Sequence, residues 1–178
     1  MMEARDFAAD LRETVRAAHA RLRSLGEAAA VPCAPGKWSP AQIIGHLIDS
    51  ASNNHQRFVR ARFRPDLRFD GYDQDAWVSA QAYAAAPWSE LLDIWLAFNL
   101  HIARVMESTP DAVLRAPRPD HNLHRLAWEE VPANEPVSLE YFMRDYVSHL
   151  KHHVRQIDAS IASPPVRQRG EPPQGTTE

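Results

Sequence analysis

The chain has 178 residues, of which 44% are hydrophobic and 24% are charged. This length and composition fit one compact domain with a sizeable core better than two domains or a disordered chain. Lys and Arg number 20 against 23 Asp and Glu, so the formal charge is -3. The chain therefore lacks the basic excess typical of proteins that bind the phosphate backbone, and we expect no nucleic-acid partner.

The cysteine content and the N-terminal residues bear on the cellular compartment. Cys33 is the single cysteine, which excludes an intrachain disulfide. Charged residues interrupt the first ten positions, where a signal peptide needs an apolar stretch, and no run of about 18 apolar residues occurs. We therefore expect a cytoplasmic protein with no membrane partner.

Apolar residues recur at helical spacing, which predicts four helices and no sheet. The predicted helices span about residues 4–30, 40–64, 88–109 and 138–162. The second has a clear start, because Ser39 is a good N-cap and Pro40 occupies the first helical position, where its missing N–H costs nothing. Pro65 closes that helix, and Ser138 is the predicted N-cap of the fourth.

The connections between the predicted helices differ in length. Those over residues 65–87 and 111–136 are long, and a long connection permits a crossover, so a four-helix bundle with one or two crossovers is the economical architecture. Residues 163–178 are rich in Pro and Gly among polar residues and are predicted to be disordered. The predicted domain therefore spans residues 1–162.

Two histidines interrupt the apolar stripe of the fourth helix. His149 and His153 lie four residues apart, about 40° around the axis, and the stripe runs through them. An unpartnered polar side chain in a core costs on the order of 1 to 3 kcal/mol, and metal binding would offset that cost. His46, beside the apolar positions of the second helix, is positioned to supply a third imidazole.

A simpler interpretation of these histidines remains open at this point. They could be ordinary core residues that hydrogen-bond to carboxylates such as Asp49 or Asp145. The pair also differs from the zinc-protease helix, since Leu150 occupies the position where HExxH carries its general base.

Three segments resemble, in order along the chain, motifs of the DinB/YfiT-like superfamily. The first segment is residues 36–50, GKWSPAQIIGHLIDS, followed by Asn54, Arg57 and Phe58. It resembles a family helix that carries a W-S/T motif, then an HLxDS motif, and then the dipeptide RF. Residues 146–157, YVSHLKHHVRQI, resemble the final HxxHHxxxI helix. More weakly, residues 69–77, FDGYDQDAW, resemble the acidic and aromatic stretch in the crossover. Together the matches cover residues 36–161.

The resemblance implies a fold and a metal site. The implied fold is an all-α four-helix bundle, up-down-down-up, with a long crossover between helices 2 and 3, often dimeric. The implied site is one divalent metal ion, Zn, Ni or Fe, held by His46, His149 and His153. Because Trp and Leu are also plentiful in the third helix, we expect a homodimer.

The implied function is that of a metal-dependent enzyme. It would activate a low-molecular-weight thiol, or water, at an open three-histidine site for group transfer, isomerisation or hydrolysis of a small-molecule substrate. The alternative is a non-catalytic, stress-associated metal-binding protein, in which the metal is structural.

Several further polar residues are candidates near this site. Asp49 could be a fourth metal ligand, an acceptor for an imidazole N–H, or part of the helix surface. Gln156 could orient a substrate or satisfy a neighbouring backbone group. His121 and His124 fall in an irregular stretch, where surface exposure is usual, although they could line the cavity.

Two charged segments complete the list of candidates. Arg57, Arg60 and Arg64 line one face at the end of the second helix. They either stabilise a helix C-terminus or form an anion site for the carboxylates of a thiol cofactor or a substrate. The crossover residues that could form a wall or lid of the metal pocket are Asp70, Tyr72, Asp73, Asp75 and Trp77, although Trp77 could equally be a hydrophobic plug.

Overall fold

The computed structural model describes residues 6–30 and 36–162, which contain six α-helices and no β-strand. The helices, α1 to α6, are Asp6–Ser24, Pro40–Ala61, Gln74–Ala80, Trp88–Glu107, Asp111–Leu114 and Leu139–Ala162. The predicted all-α fold is confirmed. Cys33 and the predicted disordered tail, residues 163–178, lie outside the described residues.

The contacts of α4 give the directions of its two neighbours. Arg12, early in α1, forms an ion pair with Glu107 at the end of α4, so α1 and α4 are antiparallel. The ring of His55, late in α2, lies 5.7 Å from that of Phe98, centroid to centroid. Because the C-cap residue Arg62 also bonds to a residue just after α4, helices α2 and α4 run parallel.

The fourth long helix, α6, closes the bundle against α2. The rings of His46 and His149 are in contact near one end of the pair, and those of Phe58 and Phe142 near the other, so α2 and α6 are antiparallel. In chain order the four long helices therefore run up, down, down and up, as expected. Two consecutive long helices that run parallel need a crossover between them, which residues 62–87 provide.

The predicted helix starts are confirmed by their capping hydrogen bonds. Ser39 Oγ accepts from the backbone N–H of Gln42 at 3.2 Å, and Gln42 Oε1 accepts from the N–H of Ser39 at 2.9 Å. These two bonds form a capping box at the start of α2. At α6, Ser138 Oγ accepts from the N–H of Tyr141 at 3.1 Å.

The predicted ends of the first three long helices were too late, whereas α6 ends at Ala162 as predicted. Helix α1 ends at Ser24 rather than residue 30, because Gly26 takes a left-handed conformation with φ of 68°. Helix α2 ends at Ala61 rather than residue 64, since the residue before Pro65 is disfavoured in helical geometry. Helix α4 likewise ends at Glu107, two residues before the predicted end.

The crossover packs directly on α2. It contains α3, which the sequence analysis did not predict and which Asp73 caps by accepting from Ala76 N at 3.0 Å. The ring of Tyr83 lies against Gly45, where an added Cβ would sit 2.1 Å from a ring carbon. A glycine in mid-helix is therefore explained by the close approach of the crossover.

The connection from α4 to α6 is tied to the same end of α2. Arg118 is buried and donates from its guanidinium to the carbonyl oxygen of Ala61 at 3.1 Å. The backbones of Leu67 and His121 are bridged, which joins this connection to the crossover. The two long connections thus form one side wall beside α2 and α6. Among the described helices, none combines the length and apolar character that a bilayer span requires.

Candidate metal centre

Three imidazole rings meet where α2 and α6 pack together. His46 Nε2 lies 3.4 Å from His149 Nε2, which lies 3.1 Å from His153 Nε2. One ligand nitrogen from each ring falls within 4.8 Å of the other two. An ion with bonds of about 2.05 Å in tetrahedral geometry places its nitrogen ligands about 3.3 Å apart. The histidines that the sequence analysis singled out are therefore together, at the spacing that one ion needs.

The apolar stripes of the two helices explain why these rings point inward. On α6, Tyr146 and Ile157 are buried on the stripe that carries His149 and His153. On α2, His46 shares the buried face and is fully buried, with 0% of its surface exposed. The apolar face of each helix packs against the other helix because this removes it from water. The histidine rings lie on these faces and are therefore buried in the interface.

Hydrogen bonding prepares His153 as a ligand. Its Nδ1 donates to Gln156 Oε1 at 2.8 Å, so Nε2 turns a lone pair toward the other two rings. Gln156 therefore contacts an imidazole, a role that differs from the two considered from the sequence. The Nδ1 of His46 has no hydrogen-bond partner, and that ring is held by packing, with Trp38 5.2 Å away between ring centroids.

The surroundings favour neutral imidazoles. Burial, with a smaller contribution from the charge of His153, lowers the pKa of His46 to about 4. Burial and the neighbouring rings lower the pKa of His149 to about 3. Burial also lowers the pKa of His153, against the opposing effect of its hydrogen bond to Gln156. All three rings are therefore unprotonated at neutral pH, the form that binds metal.

Asp49 is engaged away from the three histidines. Its Oδ1 accepts from Gln81 Nε2 and from the hydroxyl of Tyr83, both at 2.7 Å. It does not belong to the group of side chains that converge on the candidate ion. Asp49 instead ties the crossover to α2, and the expectation of a hydrogen bond from an imidazole is wrong for it.

Asp145 also forms its hydrogen bonds away from the three histidines. Its carboxylate accepts the backbone N–H groups of Trp128 at 3.0 Å and Glu129 at 2.8 Å. Neither carboxylate named in the simpler interpretation bonds to the three rings, so Asp49 and Asp145 are not the partners that it requires. Burial raises the pKa of Asp145, against the effect of these two donors.

A cavity of about 280 Å³ opens beside the rings of His149 and His153, and we call it the metal cavity. Tyr146 forms part of its lining, and Tyr72 and Gln74 contribute from the crossover. Of the predicted wall residues, Tyr72 is confirmed, whereas Asp70, Asp73 and Asp75 do not line this cavity and Gln74 was not predicted. Trp77, the proposed plug, does not line the cavity but packs against Tyr72 with ring centroids 4.7 Å apart.

The sequence analysis missed Trp128, which covers the histidines of α6. Its ring centroid lies 4.4 Å from that of His152 and 5.6 Å from that of His149. The indole is 49% exposed, so it lies at the mouth of the cavity. A tryptophan in an irregular segment gave no periodic signal, and only its backbone bonds to Asp145 place it here.

The other histidine pair is not part of the site. His121 is buried, and its Nε2 donates to the carbonyl oxygen of Glu135 at 2.9 Å. Its Nδ1 accepts the N–H of Leu123 at 3.2 Å, so both ring nitrogens are used by the backbone. His124 is exposed. The expectation of surface exposure holds for His124 and is wrong for His121, and neither residue lines the metal cavity.

Comparison with known proteins places the chain in a family. The model of the DinB superfamily matches residues 10–157, and no curated protein matches. Among solved structures, YfiT from Bacillus subtilis is similar with a TM-score of 0.69, covering 89% of this chain and 85% of that chain at 20% identity. YfiT is described as a probable metal-dependent hydrolase with an unusual four-helix bundle topology, and the likeness shows the fold. Since the family model spans most of the sequence, the chain belongs to the DinB superfamily.

Proposed function

We propose that this protein is a divalent-metal-dependent enzyme whose ion is held by His46, His149 and His153. The observation that carries the proposal is the convergence of three neutral imidazoles beside a cavity large enough for a small molecule. The description of YfiT as a probable metal-dependent hydrolase supports the same class. The reaction is group transfer, isomerisation or hydrolysis, with a low-molecular-weight thiol or water as the nucleophile.

The donor set fits an ion with open coordination positions. Three imidazoles suit Zn, Ni or Fe. A structural zinc site is normally closed by four protein ligands, whereas the described residues offer a group of three. An open site beside a cavity favours catalysis over the alternative of a non-catalytic metal-binding protein.

The chemistry divides between the ion and the cavity walls. A bound divalent ion lowers the pKa of a thiol or water toward neutrality, which supplies a nucleophile without a side-chain base. Gln156 keeps the Nε2 lone pair of His153 aimed at the site. Burial raises the pKa of Tyr72 to about 12, so its hydroxyl remains protonated at neutral pH and can donate to a substrate in the cavity. Trp128 shields the α6 histidines from bulk water.

Metal analysis of matched histidine variants tests the site. Wild-type protein, stripped and reloaded with Zn, Ni or Fe, should bind one ion per chain, and His149→Ala should bind almost none. His152→Ala is the matched control, because it removes an imidazole from the same helix outside the converging group. Full metal content in the single alanine variants of His46, His149 and His153 would contradict the proposal.

Turnover assays separate the enzyme from the non-catalytic alternative. Metal-loaded wild type is assayed with low-molecular-weight thiols and electrophiles, and separately with simple esters and amides. We expect turnover in at least one panel that is lost in His149→Ala and kept in His152→Ala. Wild-type rates no higher than those of His149→Ala in every panel would support the structural alternative.

We also propose a homodimer, which now rests on the family resemblance. The tryptophans of α4, Trp88 and Trp95, are buried in the bundle core and do not supply an interface. Light scattering should give about twice the chain mass of 20.1 kDa. A mass near 20.1 kDa at micromolar concentration would show that the protein is a monomer.

A further inference from the structure

A second cavity lies next to the metal cavity and is lined mainly by arginine. It has a volume of about 420 Å³ and we call it the arginine cavity. The charged residues of its lining are Arg57, Arg60, Arg64 and Arg68, with Asp70 as the one acidic residue among them. Neutral amide side chains of Asn53, Gln56 and Asn122 complete its polar surface.

Arg57 and Arg60 share one stripe of α2 because of their spacing. Gln56, Arg57 and Arg60 follow Asn53 at intervals of three, four and seven residues, which places all of them on one face of a helix. Arg64 follows Arg60 by four, just beyond the end of the helix. The stripe faces the crossover, so the cavity lies between α2 and the segment that carries Asp70.

Arg57 is the buried member of the set. Only 8% of its surface is exposed, and it donates to two neutral acceptors, the carbonyl oxygen of Asp70 at 2.6 Å and Asn54 Oδ1 at 3.4 Å. The Asp70 carboxylate lines the cavity but forms no ion pair with it among the described residues. Burial lowers the pKa of Arg57, against the opposing effects of Tyr72 and of the Asp70 charge. A buried cation with no carboxylate hydrogen-bonded to it is costly, and an oxyanion in the cavity would offset that cost.

Arg60 adds a second cation with no carboxylate partner in the described parts of the chain. Its guanidinium bonds to the neutral amide oxygen of Gln56 at 3.2 Å. Arg64 and Arg68 differ, since they pair with Asp66 and Asp120. Favourable placement at a helix C-terminus accounts for an exposed arginine such as Arg60, but not for a buried arginine whose neighbours line an open cavity.

Arg57 also lines the metal cavity, so one side chain borders both spaces. His46 and Arg57 are eleven residues apart on α2, about 16 Å along the helix axis. Side chains on a helix tilt toward its N-terminus, which for Arg57 is the direction of His46 and shortens that gap. A small molecule with one end at the metal centre could therefore reach the arginine cavity with the other.

We propose that the arginine cavity binds an oxyanion, a carboxylate or a phosphate, carried by the substrate or thiol of the metal centre. The identity of the carrier rests on the proposed function, whereas oxyanion binding by the cavity does not. Arg57 and Arg60 are the residues that hold the anion, because within the described chain neither guanidinium is hydrogen-bonded to a carboxylate. The molecule is thus anionic at one end and offers a metal-binding group at the other.

Calorimetric titration with inorganic phosphate, and separately with succinate, tests the cavity at constant ionic strength. The metal-loaded full chain should bind at least one of these anions saturably, and Arg60→Ala should weaken that binding by at least about tenfold. Arg104→Ala is the matched control, because Arg104 is an exposed arginine in the last turn of α4 and lines neither cavity. Stronger binding of phosphate or of succinate identifies the preferred anion.

A second substitution tests the buried cation. Arg57→Lys keeps a positive charge but loses the planar fork of two donors, and it should also weaken anion binding. If that variant does not fold, the comparison of Arg60→Ala with Arg104→Ala still decides the question. Absence of saturable binding, or equal weakening in these two variants, would overturn the assignment.

The link to the metal centre needs a separate readout. In cobalt-loaded protein, thiolate ligation is followed by its charge-transfer absorption, with glutathione compared with its neutral-carboxyl diethyl ester. Glutathione should bind at least about tenfold more tightly, a preference that Arg60→Ala removes and Arg104→Ala keeps. The same preference in both variants would show that the anion site does not serve the metal centre. Metal-free His149→Ala should still bind the inorganic or dicarboxylate anion, so failure of the metal site is distinguished from failure of the arginine cavity.

Discussion

Two of the close histidine pairs in the described chain differ in what their ring nitrogens contact. His149 and His153 direct Nε2 atoms toward each other and toward His46. His121, beside His124, uses one nitrogen as a donor to a carbonyl and the other as an acceptor from a backbone N–H. The difference teaches that a buried histidine is structural when the backbone satisfies both nitrogens, and available for metal when lone pairs converge.

The largest expected effect on this comparison comes from removing the metal. At a metal concentration about 1,000 times the Kd, binding should raise the free energy of unfolding by about 4 kcal/mol. His149→Ala should lose this gain and His121→Ala should keep it, as measured by denaturant unfolding with and without chelator. A similar metal-dependent gain in His149→Ala would show that the converging nitrogens are not the ligands.

Replacing the structural histidine should have the opposite pattern. His121→Ala leaves the buried N–H of Leu123 and the carbonyl oxygen of Glu135 without their imidazole partner, so we expect a loss of about 2 kcal/mol in metal-free protein. Its metal stoichiometry should match the wild type in elemental analysis. In the same metal-free state, His149→Ala should cost less than Leu150→Ala, since it removes a polar group from the helix interface. Loss of metal from His121→Ala would contradict the distinction between the pairs.

The hydrogen bond behind His153 gives a smaller effect. Gln156→Ala removes the acceptor for the Nδ1–H of His153, so we expect metal affinity to fall by about tenfold. This is the smaller end of the effect expected for residues that hydrogen-bond to a metal ligand, because Gln156 is exposed. Gln156→Glu retains an acceptor and should keep wild-type affinity or exceed it. Competition with a chromophoric chelator measures both variants, and unchanged affinity in Gln156→Ala would mean that the rings are oriented by packing alone.

The smallest expected change is with pH. Protons compete with metal only below the pKa of each ring in the folded protein, and the pKa values of His46 and His149 are lowered to about 4 and about 3. Burial also lowers the pKa of His153, so this ring should cost less than one histidine of ordinary pKa, and metal affinity should fall by less than about eightfold between pH 7 and 5.5. Three histidines with the ordinary pKa of about 6.5 would together lose about six hundredfold over that range. Isothermal titration at the two pH values separates these outcomes.

Local sequence signals predicted the helix starts well and the helix ends poorly. Ser39 and Pro40 act within one turn, so the start of α2 could be read without the rest of the molecule. The end of α1 depends on Gly26, which can adopt either a right-handed or a left-handed backbone, and the apolar stripe beyond it favoured the longer helix. Helix α3 was missed because it is short and carries little periodicity.

The candidate ligands were also predictable, whereas their surroundings were not. His149 and His153 interrupt a strong apolar stripe, and a polar residue at a core position is a local signal. Asp49 lies three residues from His46, yet it faces the crossover because Tyr83 packs on Gly45 and donates to its carboxylate. The spacing of residues along one helix specifies which face they share. Which element covers that face depends on contacts between residues far apart in the chain.

The sequence by itself therefore determined the all-α class, the inward position of the histidines and the arginine stripe of α2, because helical periodicity is a property of neighbouring residues. The tertiary structure decided which polar atoms meet. Trp128 covers the histidines because Asp145 binds its backbone, and Arg57 borders both cavities because the crossover lies over it. Such contacts join segments far apart in the chain, and their geometry depends on how the helices and the two long connections pack.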